Sequence, residues 1–82
     1  MTPTFPKEGT QPRRVLDELL QADGSWIRGG YFLHTMKLSQ YHARIKDLED
    51  RFHWTIEHST FVDEFGFKAY RIIQEVRQLT LV

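Results

Sequence analysis

The amino-acid sequence predicts an α+β domain made of three helices and a small antiparallel sheet. Two segments, residues 10–22 and 39–52, repeat apolar residues at spacings of three and four, which is the period of an amphipathic helix. After Phe52 the apolar residues alternate with polar ones, which is typical of strands. The 82 residues are 40% hydrophobic and 13% aromatic, which is enough for one small domain with a modest core.

The amino-terminal part is expected to be a flexible arm followed by a helix. Residues 1–9 contain two prolines, which oppose regular structure. Thr10 is a candidate N-cap for a helix over residues 10–22, and Asp23-Gly24 is a typical helix end. The predicted buried stripe comprises Val15, Leu16, Leu19 and Leu20. The predicted i,i+4 ion pairs are Arg13–Asp17 and Arg14–Glu18.

A brief strand, a turn and a second short helix are predicted next. Residues 25–27 favour a strand and are too few for a helix. The Gly29-Gly30 pair then turns the chain. Residues 31–36 are expected to form the second helix, and residues 37–38 the turn into the next one.

The central helix, predicted over residues 39–52, is the element around which the rest of the chain is organised. Ser39 is its expected N-cap, because a hydroxyl at that position accepts a hydrogen bond from a free backbone N–H of the first turn. The predicted buried stripe comprises Tyr41, Ile45, Leu48 and Phe52. The predicted exposed face comprises Ser39, Gln40, Ala43, Lys46, Asp47 and Asp50, with His42 and Arg44 on its flanks.

The carboxyl-terminal part is expected to be a β-hairpin and a tail. Residues 53–58 alternate as a strand, residues 60–67 read as the hairpin loop, and residues 68–73 form the returning strand. Residues 74–82 end in apolar side chains, and they either prolong the strand or contact a partner or a second copy. The chain is thus divided into the arm, a domain over residues 10–73, and the tail.

Composition argues against several classes of function. The chain has no Cys, hence no disulfide and no thiolate chemistry. No apolar run approaches the ~18 residues of a membrane span, and no signal-peptide pattern is present, so a soluble cytoplasmic protein is expected. The four His and the acidic residues show no catalytic or metal-ligand spacing. We therefore expect no enzyme, metal, cofactor or small-molecule substrate.

The net charge is zero, but its distribution is uneven. Residues 1–46 carry seven basic and four acidic side chains, giving +3, whereas residues 47–82 carry four and seven, giving −3. The sign changes inside the central helix. The charge pattern therefore indicates a weak dipole rather than a uniformly basic protein.

The order of predicted elements is helix, strand, helix, tight turn, helix, strand, loop, strand. The most characteristic residues are Lys37-Leu38-Ser39-Gln40, followed by Ala43, Ile45 and Leu48. They resemble the turn and recognition helix of many bacterial and phage DNA-binding domains. The stretches Ser25-Trp26-Ile27, residues 41–48 and Trp54-Thr55-Ile56 are similar to small prophage-type proteins with a winged helix-turn-helix fold. The resemblance covers residues 10–73. It implies a recognition helix over residues 39–52, a hairpin wing, and a phage- or prophage-type regulator of transcription or recombination that binds specific sequences of double-stranded DNA.

This resemblance implies a set of DNA-contacting residues. They are Arg28, Lys37, Ser39, Gln40, Ala43, Arg44 and Lys46. Gln40 suits an adenine edge, Ala43 a thymine methyl group, and Lys46 a guanine or a phosphate. The arginines and Lys37 are expected at phosphates. The alternative for Gln40 and Lys46 is an ordinary solvated face, and the alternative for Arg44 is a salt bridge to Asp47 or Asp17.

Two features depart from the winged-helix pattern. Lys37 stands where these domains usually have a glycine, and Asp63 and Glu64 stand where wings often carry basic residues. Together with the zero net charge and the apolar tail, they support an alternative function as a protein-protein interaction module with little or no DNA binding. A homodimer on paired half-sites, or another protein partner, is expected to assist any DNA binding.

Overall fold

The computed structural model describes residues 2–73 and shows a small α+β domain, as predicted. Its elements are α1 (Gln11–Gln21), β1 (Ile27–Arg28), a π-helical turn (Tyr31–Thr35), α2 (Tyr41–Asp50), β2 (Glu57–Val62) and β3 (Lys68–Arg71). The strands form one antiparallel sheet in the order β1-β3-β2. Within this part of the chain no helix has the length and apolar character needed to cross a membrane. The predicted tail, residues 74–82, lies outside the described residues.

The core is formed by one face of each helix packed on the sheet. Val15, Leu16 and Leu19 of α1 are fully buried, and they meet the stripe of α2 that was predicted from its spacing. That stripe comprises the buried residues Tyr41, Ile45 and Leu48, with Phe52 partly buried beyond them. Phe32 is completely buried, with its ring centroid 5.8 Å from that of Tyr41 and 6.4 Å from that of Tyr70. Each such side chain contributes about 1.5–3 kcal/mol by leaving water.

Helix α1 begins and ends close to its predicted limits. Thr10 occupies the N-cap position, but its hydroxyl donates to the Lys7 carbonyl at 2.7 Å instead of capping a helical N–H. The helix stops where Asp23 and Gly24 take positive φ angles of 51° and 88°. The Arg13–Asp17 pair is formed at 3.0 Å.

The second predicted ion pair on α1 is absent from the described residues. Arg14 does not pair with Glu18; its guanidinium donates to the Met36 carbonyl at 3.4 Å. That carbonyl lies just after the π-helical turn, so Arg14 satisfies an acceptor that the turn leaves free. Glu18 consequently has no cationic partner within 4.0 Å among residues 2–73.

Helix α2 is shorter than predicted at its amino-terminal end. It begins at Tyr41, Gln40 holds the N-cap position without a side-chain cap, and Ser39 lies in the preceding turn. The assignment of Ser39 as N-cap is therefore wrong, because the Tyr41 N–H bonds to the Leu38 carbonyl at 3.2 Å and closes a turn over these residues. Lys37 takes the left-handed conformation, with φ of 59°, that glycine adopts more easily. A side chain there costs about 1–2 kcal/mol.

The strand predicted over residues 53–58 is displaced towards the hairpin. His53 has a φ of 62°, and the Trp54 N–H bonds back to the Leu48 carbonyl at 3.0 Å, so these residues terminate α2. Regular pairing begins only at Glu57, which is opposite Arg71. Strand β3 lies where the returning strand was predicted, although it is two residues shorter.

A bulge in β2 is held by Ser59. The register shifts between His58, which is opposite Tyr70, and Val62, which is opposite Lys68. The buried Ser59 hydroxyl accepts from the Ala69 N–H at 2.8 Å and donates to the Phe61 carbonyl at 2.6 Å. One side chain thereby replaces ladder hydrogen bonds that the bulge removes.

The segment expected as a flexible arm has no helix or strand over residues 2–9, but its middle is fixed to the domain. The Thr4 N–H donates to the Phe52 carbonyl at 2.9 Å, and the Thr4 carbonyl accepts from the Trp54 indole at 2.6 Å. Phe5 packs edge-on against Trp54, with ring centroids 5.4 Å apart. The Arg13 guanidinium lies 5.0 Å above the Phe5 ring.

Candidate nucleic-acid interface

A cleft of about 650 Å³ separates α2 from the β2–β3 hairpin. We call it the basic cleft, because its charged and titratable lining comprises His42, Lys46, Glu49, His58 and Lys68. Two lysines from different elements thus share one cavity. The single carboxylate, Glu49, lies 3.1 Å from the His58 imidazole and is engaged by it.

Two buried tyrosines form the apolar base of the basic cleft. Burial raises the pKa of Tyr41 to about 12, and its contact with Tyr70 adds to the effect. Burial also raises the pKa of Tyr70. Both phenols therefore stay neutral near pH 7, and the His42 ring packs at 4.0 Å from that of Tyr41. The base carries no negative charge of its own to oppose an anion in the cleft.

Three predicted DNA-contacting residues lie together before the first turn of α2. Lys37, Ser39 and Gln40 are all exposed, and none has a side-chain hydrogen bond or ion pair within the described chain. Ala43 is half-buried, so only part of its methyl group is open to a ligand. The side-chain amide of Gln40 is therefore exposed and available to a ligand at this end of the helix.

The two cations within α2 are each paired with an acid of the same helix. Lys46 Nζ lies 3.3 Å from Asp50 Oδ2, and both side chains are exposed. Arg44 Nε lies 3.2 Å from Asp47 Oδ2, which bears out the alternative proposed for this arginine. This second contact is an ion pair by distance but not a hydrogen bond by geometry, since Arg44 Nε is buried without an aligned acceptor in residues 2–73.

Of the predicted DNA-contacting residues, Lys46 lines the basic cleft, whereas Arg28 lines a different one. Arg28 is exposed at the end of β1 and lines a cavity of about 780 Å³ together with Glu18 and Asp63. Phe67 lines both cavities and so separates them. The structure brings Lys46 and Lys68 to the basic cleft and does not bring Arg28 there.

The acidic hairpin residue Asp63 has a structural role. Its Oδ1 accepts the backbone N–H groups of Phe65 at 2.9 Å and Phe67 at 3.0 Å, which fixes the turn. Asp63 lines the cavity that holds Arg28, not the basic cleft. The two sides of the hairpin therefore differ in charge.

The sequence did not single out three residues of the basic cleft as a site, namely His42, His58 and Lys68. They are distant in sequence and meet only because the hairpin folds against α2. The available signal was the position of Lys68 at the start of the predicted returning strand of the hairpin, which follows the central helix. Comparisons with protein-family models, with curated proteins and with solved structures find no match to this chain.

Proposed function

We propose that this protein has a winged helix-turn-helix fold and binds double-stranded DNA in a sequence-specific manner. The element order and the sheet order β1-β3-β2 support this fold, since a three-stranded sheet packs on the helices with its hairpin beside α2. The observation that carries the function is the basic cleft, where Lys46 and Lys68 converge from α2 and β3. Paired cations at a helix-flanking groove suit a phosphate backbone.

In the proposed complex, the start of α2 enters the major groove. Gln40 contacts a base edge, for which its amide offers both a donor and an acceptor. Lys37 and Lys46 lie at either side of Gln40 in sequence, and Lys68 meets the backbone from the hairpin. The exposed ion pair of Lys46 with Asp50 is worth at most about 1 kcal/mol, so a phosphate can displace the carboxylate.

The small number of cations sets the expected strength of binding. Three lysines neutralise about three phosphates, so the salt slope is shallow, at about −0.9 per phosphate. Tight binding therefore needs a homodimer on paired half-sites or a helper protein. The proposed role is that of a non-enzymatic, cytoplasmic regulator of transcription or recombination, of the kind found in bacteria and phages.

The proposal is tested by selection from a random duplex library at low salt. Gln40→Ala should relax the preference at one position by about 1–3 kcal/mol, whereas Lys68→Ala should weaken binding to all sequences alike. Lys7→Ala is the matched control, because Lys7 is an exposed lysine of the arm and lies outside the basic cleft. Failure to enrich any sequence, with Lys68→Ala and Lys7→Ala equivalent, contradicts the proposal.

An interaction module without DNA binding is the second candidate, and one observation favours it. The hairpin exposes Phe61, Val62 and Phe65 by 52%, 55% and 74%, which is unusual for side chains of this size. If the duplex selection fails, these residues identify the surface at which a protein partner should be sought.

A further inference from the structure

The larger cleft, on the other side of Phe67 from the basic cleft, has a distinct chemistry. It lies where the end of α1, β1, the π-helical turn and the hairpin turn meet, and its volume is about 780 Å³. Its aromatic lining comprises Trp26, Tyr31, Phe65 and Phe67. Phe65 is 74% exposed, so the cleft has an open aromatic rim. We call this cavity the aromatic-acidic cleft.

Two carboxylates line this cleft without a cationic partner. Neither Glu18 nor Asp63 has a basic group within 4.0 Å in the part of the chain that is described. Arg14, the residue one helical turn before Glu18, donates instead to the Met36 carbonyl. The two backbone N–H groups that bond to the Asp63 carboxylate both donate to Oδ1, which leaves Oδ2 without a protein donor in residues 2–73.

The balance of charge in the cleft is negative. Arg28 is the cation of the lining, against the carboxylates of Glu18 and Asp63. A phosphate backbone is therefore disfavoured here, although it is favoured in the basic cleft. A carboxylate beside an aromatic face is suited instead to an ammonium or guanidinium group.

One aromatic ring of this cleft, Trp26, already binds a guanidinium group of the protein itself. The Arg71 guanidinium lies 4.2 Å above the Trp26 ring, at the border of the same cleft, and is also bonded to Glu57 at 3.1 Å. That pairing of one guanidinium with one ring and one carboxylate shows the arrangement that the cleft can offer to a ligand. Tyr31 and Phe65 have no such cation above them in the described chain.

We propose that the aromatic-acidic cleft docks a protein partner through a short segment that carries an arginine or lysine next to an apolar residue. Glu18 and Asp63 receive the cation, and the rings of Tyr31 and Phe65 cover the apolar neighbour. Arg28 is placed to donate to a main-chain carbonyl of the segment. The inference does not rest on DNA binding, and the position of Phe67 between the two clefts allows both to be occupied together.

The test uses the full chain, labelled with ¹⁵N, and two short capped peptides. One contains a single arginine flanked by leucines, and the other replaces that arginine by citrulline, which has the same shape without the charge. The arginine peptide should shift the amides around Tyr31 and Phe65 and the Trp26 indole, and should leave those of Lys46 and Lys68 in place. The citrulline peptide should bind at least about fivefold more weakly.

Matched variants locate the effect. Glu18→Gln should reduce the affinity for the arginine peptide about fivefold, towards that of the citrulline peptide. Asp17→Asn is the control, since it removes the neighbouring carboxylate of α1 that already pairs with Arg13. Phe65→Ala is a second variant. Because Phe65 is exposed, weaker peptide binding by this variant is not explained by loss of folding.

Three results overturn the proposal. The first is equal binding of the arginine and citrulline peptides, and the second is the absence of any shift around Tyr31 and Phe65. The third is a concentration-dependent shift of these amides without peptide, which assigns the cleft to a second copy of the chain.

Discussion

Replacing Gly29 by alanine tests the close approach of two elements in the core. A Cβ atom at this position would lie 2.5 Å from the Tyr41 hydroxyl oxygen and 3.2 Å from the Lys68 carbonyl oxygen. Tyr41 is 2% exposed, and the Lys68 carbonyl belongs to β3, so neither can move away freely. We expect Gly29→Ala to lower the free energy of unfolding by about 1–3 kcal/mol, as for other overpacked sites.

Gly30→Ala is the matched control, one residue further along the chain. Its Cβ would meet Phe67 at 3.5 Å, which is ordinary contact, and Gly30 already has helical angles of −60° and −30°. We therefore expect this variant to be unchanged or more stable by up to about 1 kcal/mol, because alanine restricts the unfolded chain. Urea unfolding monitored by circular dichroism measures both variants.

The clash also predicts coupling between Gly29 and Tyr41. In a Tyr41→Phe background the 2.5 Å contact disappears, while the ring carbon at 3.0 Å remains. Gly29→Ala should then cost about 1 kcal/mol less than it does in the parent chain. A Gly29→Ala variant as stable as Gly30→Ala would refute the packing of Tyr41 against this turn.

Three further predictions concern α2. Ile45→Ala should destabilise the fold by about 2–5 kcal/mol, since Ile45 is 2% exposed, and thermal melting measures the loss. Because the pKa of Tyr41 rises from 10 to about 12 on folding, its contribution to stability should be constant below pH 10 and be lost between pH 10 and pH 12. The slope that Tyr41 contributes is at most about 1.4 kcal/mol per pH unit, and Tyr41→Phe should remove that contribution. Asp50→Asn should release Lys46 and raise the affinity for duplex DNA roughly threefold at low salt, whereas Asp17→Asn should not.

The features that were predicted correctly depend on local periodicity. The spacing of Tyr41, Ile45 and Leu48 places them on one face of any helix, so their burial follows once the segment is helical. The strand after α2 was displaced because alternation does not reveal where a helix is capped. The alternation assigns residues 53–56 to the strand, but these four residues lie between α2 and β2 instead. His53 there takes the left-handed conformation, and the Trp54 indole is bonded to the arm.

The candidate site was predictable only where its residues are neighbours in sequence. The pairing of Arg44 with Asp47 follows from helical geometry, and the exposed group around Gln40 consists of neighbours in the turn before α2. The meeting of Lys46 with Lys68 depends on how the hairpin lies against α2, and Arg28 was separated from them by the same packing. Long-range contacts of this kind have no local signature.

The attachment of the arm has a consequence for folding kinetics. The bond between Thr4 and Phe52 joins residues that are far apart in the chain, and its acceptor lies just beyond the end of α2. A bond that joins residues this far apart closes a long loop, and we expect it to form after the transition state for folding. The attached arm should therefore slow unfolding and leave the folding rate almost unchanged. We therefore expect residues 4–6 to affect the lifetime of the native state rather than the speed of its formation.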